Sequence, residues 1–246
     1  PGPTPAMSWR SIRARRETGT GTQDIRRRHD GVVLQVIKPR LVRPKPEAPT
    51  QGIFKNDWRR ITLIGNSYGG ALALLLAGRL GEHEPSRLSK LVLIDPGAYK
   101  EYLPGYVKLM RTIIGKPMMF LLPARLTTKF VLKFAILDKN KITEKQVAAY
   151  SHPLADPGVR MAILQTARQC IPWDADELVA KFKNILVPTL IIWGKQDKII
   201  PRKVGELLNQ ALPNSFLEIL EECGHVPQEE QPQQTIARIS EFLSIE

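Results

Sequence analysis

The sequence is short of three things, and each shortage narrows what the chain can be. Its 246 residues hold only two cysteines, Cys170 and Cys223. A pair so far apart offers neither a disulfide framework nor the clustered spacing of a metal site. It reads as two reduced thiols of a cytosolic-type protein. Long apolar runs are also missing. The longest, Ala71 to Ala77, falls far below the roughly 20 residues that span a bilayer. No apolar stretch follows the N-terminal charges in the way a secretory signal requires. The expectation is a cytoplasmic protein with no membrane span. Acidic residues are the third shortage, since 24 Asp and Glu against 36 Lys and Arg leave a net charge of +12.

That excess is local. Residues 1–60 carry 14 Lys and Arg against 5 Asp and Glu, whereas residues 61–246 differ by only +3. A basic arm can bind phosphate backbones, but no recognition module accompanies the charge. Nucleic acid is therefore not an expected partner. Residues 1–50 also hold seven prolines and the arginine runs Arg15-Arg16 and Arg26-Arg27-Arg28. Within them only Val32 to Ile37, bounded by Gly31 and Pro39, has the β-branched character of a strand. The chain opens at Pro1 with Met7 close by, as a fragment would. An Arg-rich targeting leader over residues 1–45 is the other reading, and Glu17, Asp24 and Asp30 weaken it. Two units are expected: an atypical basic segment over 1–50 and a folded domain over 51–246.

What is present is a globular composition, 43% hydrophobic and 24% charged, which suits one α/β domain. From Arg60 the pattern becomes regular. Ile61 to Ile64, Leu91 to Ile94, Thr189 to Trp193 and Phe216 to Leu220 are short apolar runs of the kind buried in a parallel sheet. Helices are expected over Gly69–Leu80, ended by Gly81, over about Lys203–Leu212, and over Gln231–Leu243. Strands alternating with helices imply a parallel sheet covered on both faces. Residues from about 100 to 180 carry helical periodicity alone, cut by Pro104, Pro117, Pro123, Pro153 and Pro157. They read as a helical insertion.

The chemistry gathers around Gly65-Asn66-Ser67-Tyr68-Gly69. A bare G-x-S-x-G is weak evidence, but this serine follows a buried strand directly and opens a helix. That is the strand–turn–helix setting of a nucleophile elbow. Glycines at 65 and 69 should remove side chains from the tight turn, while Gly70 and Ala71 let the helix pack on the sheet. A glycine-rich turn with an incidental serine is the bland reading, and a phosphate loop lacks its Gly-Lys-Ser/Thr. The Ser67 hydroxyl would lie near the positive end of the helix dipole, with the Tyr68 N–H facing a nascent oxyanion. A serine needs a base, and His225 in the loop after the fourth strand is the candidate. His29, His83 and His152 lie in worse settings. Asp197, after the third strand, would orient that base. Asp95, at the end of the second strand, is the rival acid, its bland role being to cap the Pro96-Gly97 turn.

Together these segments resemble the capped, single-domain serine hydrolase branch of the α/β-hydrolase fold family. The resemblance rests on Gly65 to Gly70, on Trp193-Gly194-Lys195-Gln196-Asp197 with Ile200-Pro201, and on Gly224-His225-Val226-Pro227 through Pro232. It covers about three quarters of the chain. It implies a parallel sheet with a helical cap over about 100–180 and hydrolysis of an ester, or in some relatives of a C–C bond. Serine at the elbow argues against the epoxide and halide hydrolases of the branch, which place Asp there. The family normally has several strands before the elbow and a His-Gly loop supplying a second oxyanion N–H. His29-Asp30-Gly31 is a poor substitute, so the N-terminal part of the fold is expected to be incomplete and activity weak.

The functional expectation is cleavage of a small hydrophobic carboxylic ester through an acyl-enzyme, with no cofactor and no metal. A ring-cleavage type of C–C hydrolase and a non-catalytic remnant are the alternatives. Leu109, Met110, Met118, Met119, Phe120, Leu121 and Leu122 would suit an acyl group, or simply pack the cap. Cys170 and Trp173 read as packing residues. Oligomeric state is not legible.

Overall fold

The computed structural model describes residues 60–245. The strand-like run Val32 to Ile37, the basic segment 1–50 and His29-Asp30-Gly31 lie outside the described residues.

The four expected strands form one sheet: β1 (Ile61–Asn66), β2 (Leu88–Ile94), β3 (Thr189–Gly194) and β4 (Ser215–Leu220). They lie in chain order, each parallel to the next. Parallel neighbours require crossovers, which put helices on the faces and explain why the central strands are apolar throughout. Side chains alternate between faces with period two. Leu91, Leu93, Ile191 and Trp193 enter a core with Ala73, Leu74, Ala77 and Leu80 of α1 (Tyr68–His83) and Val204 and Leu208 of α8 (Lys203–Ala211). Val92, Ile94, Leu190 and Ile192 face the other way, onto Phe242 of the closing helix α10 (Pro232–Ser244). Burial of each such side chain stabilises the fold by about 1.5–3 kcal/mol. Lys90 of β2 fastens the end of α10, donating to the carbonyls of Leu243 at 2.7 Å and Phe242 at 3.3 Å.

The helix after the elbow runs past Gly81 to His83, one turn further than glycine there implies. Between β2 and β3 come α2 (Gly105–Met110), α3 (Gly115–Leu121), α4 (Ala124–Ala135), α5 (Glu144–Ser151), α6 (Pro157–Gln169) and α7 (Ala175–Ala180). Several starts follow local rules. Thr143 and Gln146 form a capping box, and Asp156 caps α6 ahead of Pro157. Met110 and Met119 are buried with Leu164 and Ala167, and Met118 and Phe120 pack against them. These side chains build the insertion's own core, so the packing reading holds for them. Leu121 is instead 81% exposed and Trp173 93% exposed, which overturns the packing expectation for Trp173.

Candidate active site

The elbow is built from backbone. At the end of β1 a Cβ on Gly65 would lie 2.4 Å from the Gly69 carbonyl oxygen, so the close return of the chain admits only glycine. The expectation for the second glycine needs correction. A Cβ on Gly69 would meet open space, and it is Gly70 that abuts Pro96, at 2.6 Å. Ser67 then adopts φ 53° and ψ −119°, a strained conformation costing a non-glycine residue about 1–3 kcal/mol. Its N–H donates to Ile94 O at 2.9 Å, and its carbonyl accepts from Ala71 and Gly97, both at 3.1 Å. The elbow is thus tied to the end of β2, which holds the strain in place. Ser67 occupies the N-cap position of α1, yet its side chain caps nothing. Its Oγ lies 2.8 Å from His225 Nε2.

Asp197 sits in the turn after β3. Its Oδ1 accepts from the N–H groups of Ile199 at 2.7 Å and Ile200 at 3.0 Å, and its Oδ2 lies 2.7 Å from His225 Nδ1. The side chain is fully buried and that of His225 is only 7% exposed. An acceptor-only carboxylate at Nδ1 makes that nitrogen the donor and leaves Nε2 to accept from the Ser67 hydroxyl. Ser67, Asp197 and His225 therefore come together, from the ends of β1, β3 and β4. The acid and histidine loops meet backbone to backbone. A Cβ on Gly194 would fall 1.8 Å from the Gly224 carbonyl oxygen.

Three further residues brace the histidine loop. Asn66 Nδ2 donates to Ile94 O at 3.0 Å and His225 O at 3.3 Å. The His225 N–H donates to Ala135 O at the end of α4, at 2.7 Å. Glu230, buried in the short helix α9 (Pro227–Glu230), accepts from Gly224 N–H at 2.8 Å and Leu137 N–H at 2.7 Å. One carboxylate thus joins the histidine loop to the insertion. Sequence reasoning passed over Asn66 and Glu230. Each lies inside a quoted motif, but its partners are remote in the chain.

Asp95 is wholly buried and holds φ 41°. Its Oδ1 accepts from Gly194 N–H at 3.0 Å. His225 Nδ1 bonds Asp197, so Asp95 is not its partner. Burial, then the adjacent Asp197 charge, holds the Asp95 carboxyl well above the usual carboxylate range. One atom each of Asp95, Asp197 and His225 lie within 4.8 Å of one another. A metal there would have to displace His225 from Ser67 or Asp197, because both ring nitrogens are engaged.

Tyr68 opens α1, where the first-turn amides have no acceptor within the helix. The residue is 45% exposed. Burial raises the Tyr106 phenol of α2, and Asp197 and Cys170 add to the rise. Burial also pushes the Cys223 thiol up to about 12, with Glu230 and Asp95 adding to it, which leaves a weak nucleophile.

A serine held on a strained strand–helix turn, with histidine and a buried carboxylate behind it, defines a class of site as much as a fold. The alpha/beta hydrolase fold family matches residues 55–232, and the chain belongs to it. It is 30% identical over 190 residues to the hydrolase YugF of Bacillus subtilis, covering 75% of this chain and 66% of that protein. It is 26% identical over 194 residues to a 2-hydroxy-6-oxononadienedioate/2-hydroxy-6-oxononatrienedioate hydrolase of Cupriavidus pinatubonensis, covering 76% and 63%. The solved 2-hydroxy-6-oxo-6-phenylhexa-2,4-dienoate hydrolase of Rhodococcus sp. strain RHA1 superposes with a TM-score of 0.59 at 23% identity, over 75% of this chain and 63% of that one. At that identity the likeness speaks for the fold alone. The chain spans slightly less than two thirds of the length of these relatives.

Proposed function

We propose that the chain is a serine hydrolase that cleaves a small hydrophobic carboxylic ester through an acyl-enzyme. The observation that carries this is the unbroken relay of 2.8 Å from Ser67 Oγ to His225 Nε2 and 2.7 Å from His225 Nδ1 to Asp197 Oδ2. His225 takes the Ser67 proton as Oγ adds to the ester carbonyl, and Asp197 stabilises the imidazolium that results. The oxyanion forms at the N-terminus of α1, where the Tyr68 N–H supports it. One such donor contributes about 2.7–4 kcal/mol to the transition state. His225 then protonates the leaving alcohol, and water attacking the acyl-enzyme returns its proton through the same nitrogen. The insertion between β2 and β3 acts as a cap, in keeping with its bonds to the histidine loop through Ala135 and Leu137.

A second reading is C–C bond cleavage of a ring-cleavage product by the same three residues. The names of the relatives from Cupriavidus pinatubonensis and Paraburkholderia xenovorans, at 26% and 25% identity, favour it. Turnover of short p-nitrophenyl esters and of a vinylogous diketone acid separates the two. Ester turnover that vanishes in Ser67→Ala supports the first, and preference for the diketone acid supports the second. No Ser67-dependent turnover of either would leave a non-catalytic member of the fold.

A further inference from the structure

The buried acid Asp95 has no part in the relay described above, and its surroundings give it one. Its Oδ1 is paired with Gly194 N–H, but its Oδ2 is buried with no hydrogen-bond partner among the described residues. Leaving a buried polar atom unpaired is costly, so an orphan calls for an explanation. Its neighbour supplies one. A carboxylate offers about four acceptor positions, and Asp197 has three of them filled, by Ile199 N–H, Ile200 N–H and His225 Nδ1. The two acids lie side by side, each offering an oxygen within 4.8 Å of the other's. Two ionised carboxylates in one dry site repel, so such a pair holds a shared proton. Asp197 is met by three donors and Asp95 by one.

We propose that Asp95 is a positioning residue whose Oδ2 carries a proton and donates it in a hydrogen bond to Asp197, steadying the acid that orients His225. This rests on the catalytic reading given above. The bond fills the last open position on Asp197 and satisfies the orphaned Oδ2. The groups facing Asp95 agree with a neutral carboxyl there. Asp197 and Glu230 both raise it, only the Gly194 N–H lowers it, and the buried Cys223 thiol stays protonated beside it. The strained φ of Asp95, 41°, comes immediately before the Pro96-Gly97 turn that braces Ser67.

Two measurements on the full chain test the proposal. The first needs no activity. An acid protonated in the fold and ionised when unfolded, above roughly pH 4, makes the native state bind the extra proton, so stability falls as pH rises. Asparagine keeps both hydrogen bonds and has no proton to lose. The unfolding constant of the parent protein should therefore rise about tenfold per pH unit relative to that of Asp95→Asn, between about pH 5 and about pH 7. A pH-independent ratio would overturn the proposal. The second follows the pH dependence of Ser67 phosphonylation. Asp95→Asn should keep the parent profile within about threefold, whereas Asp95→Leu, which removes the donor to Asp197, should move the acid limb up by about one pH unit. A purely structural role would lower the Asp95→Leu rate equally at every pH, and a downward shift in Asp95→Asn would mean that Asp95 is ionised. Either result overturns the proposal. Absence of labelling in the parent protein would count against the hydrolase reading alone, since the stability ratio reports on Asp95 independently.

Discussion

At the scale of single residues, Gly65 and Gly69 look equivalent in the motif and are not. Alanine at 65 must push the Gly69 carbonyl aside, and overpacking of this kind costs about 1–3 kcal/mol. Alanine at 69 meets open space and has no positive φ to oppose it, so it restricts the unfolded chain and adds about 0.4–1 kcal/mol of stability. Urea unfolding of the two variants should move in opposite directions. Spacing alone cannot separate them, because the contact depends on how β1 returns beneath α1. The meeting of Ser67, Asp197 and His225 was legible for the opposite reason. Ser67, Asp197 and His225 each follow an apolar run that can only be a buried strand, and parallel strands bring such loops to one edge. Asp197→Asn should leave the fold intact and lower turnover by about four orders of magnitude, since the amide favours the wrong imidazole tautomer. The thiols differ too. Cys223 is wholly buried and pushed up to about 12, so a disulfide exchange reagent at mildly alkaline pH should modify Cys170 in the native protein and reach Cys223 only after unfolding.

At the scale of elements, the strands were legible because parallel strands covered on both faces are apolar along their length, as Leu190, Ile191 and Ile192 are. The insertion was legible only as helical. Its prolines mark breaks at Pro123 and Pro157 correctly, yet nothing in their spacing says which apolar faces meet. Met110 and Met119 therefore read equally well as pocket or packing, and Trp173 as packing when it is exposed. The junction between the insertion and the histidine loop was hidden altogether. Glu230 bonds the amide of Leu137, 93 residues away, and no local pattern announces a contact of that range. Glu230→Ala would orphan the Gly224 and Leu137 amides, at about 1–3 kcal/mol each. Hydrogen exchange at those two amides should quicken more than exchange in β3. Equal acceleration throughout would mean that Glu230 supports the fold generally and does not join these two elements.

For the whole molecule, the described residues hold a sheet whose four strand ends present three chemically linked side chains at one edge. The net charge of +12 resides mostly in residues 1–60, so it says little about that edge. The match to the relatives covers about two thirds of their length. Hydrolysis by this chain requires that Ser67 be activated. Its most direct measure is labelling of the purified protein with a fluorophosphonate, read by peptide mass, beside Ser67→Ala and His225→Ala. The geometry predicts a single adduct on the peptide carrying Ser67, absent in Ser67→Ala and slowed at least about a thousandfold in His225→Ala. A folded protein that stays unlabelled, or that labels equally well without His225, would contradict it.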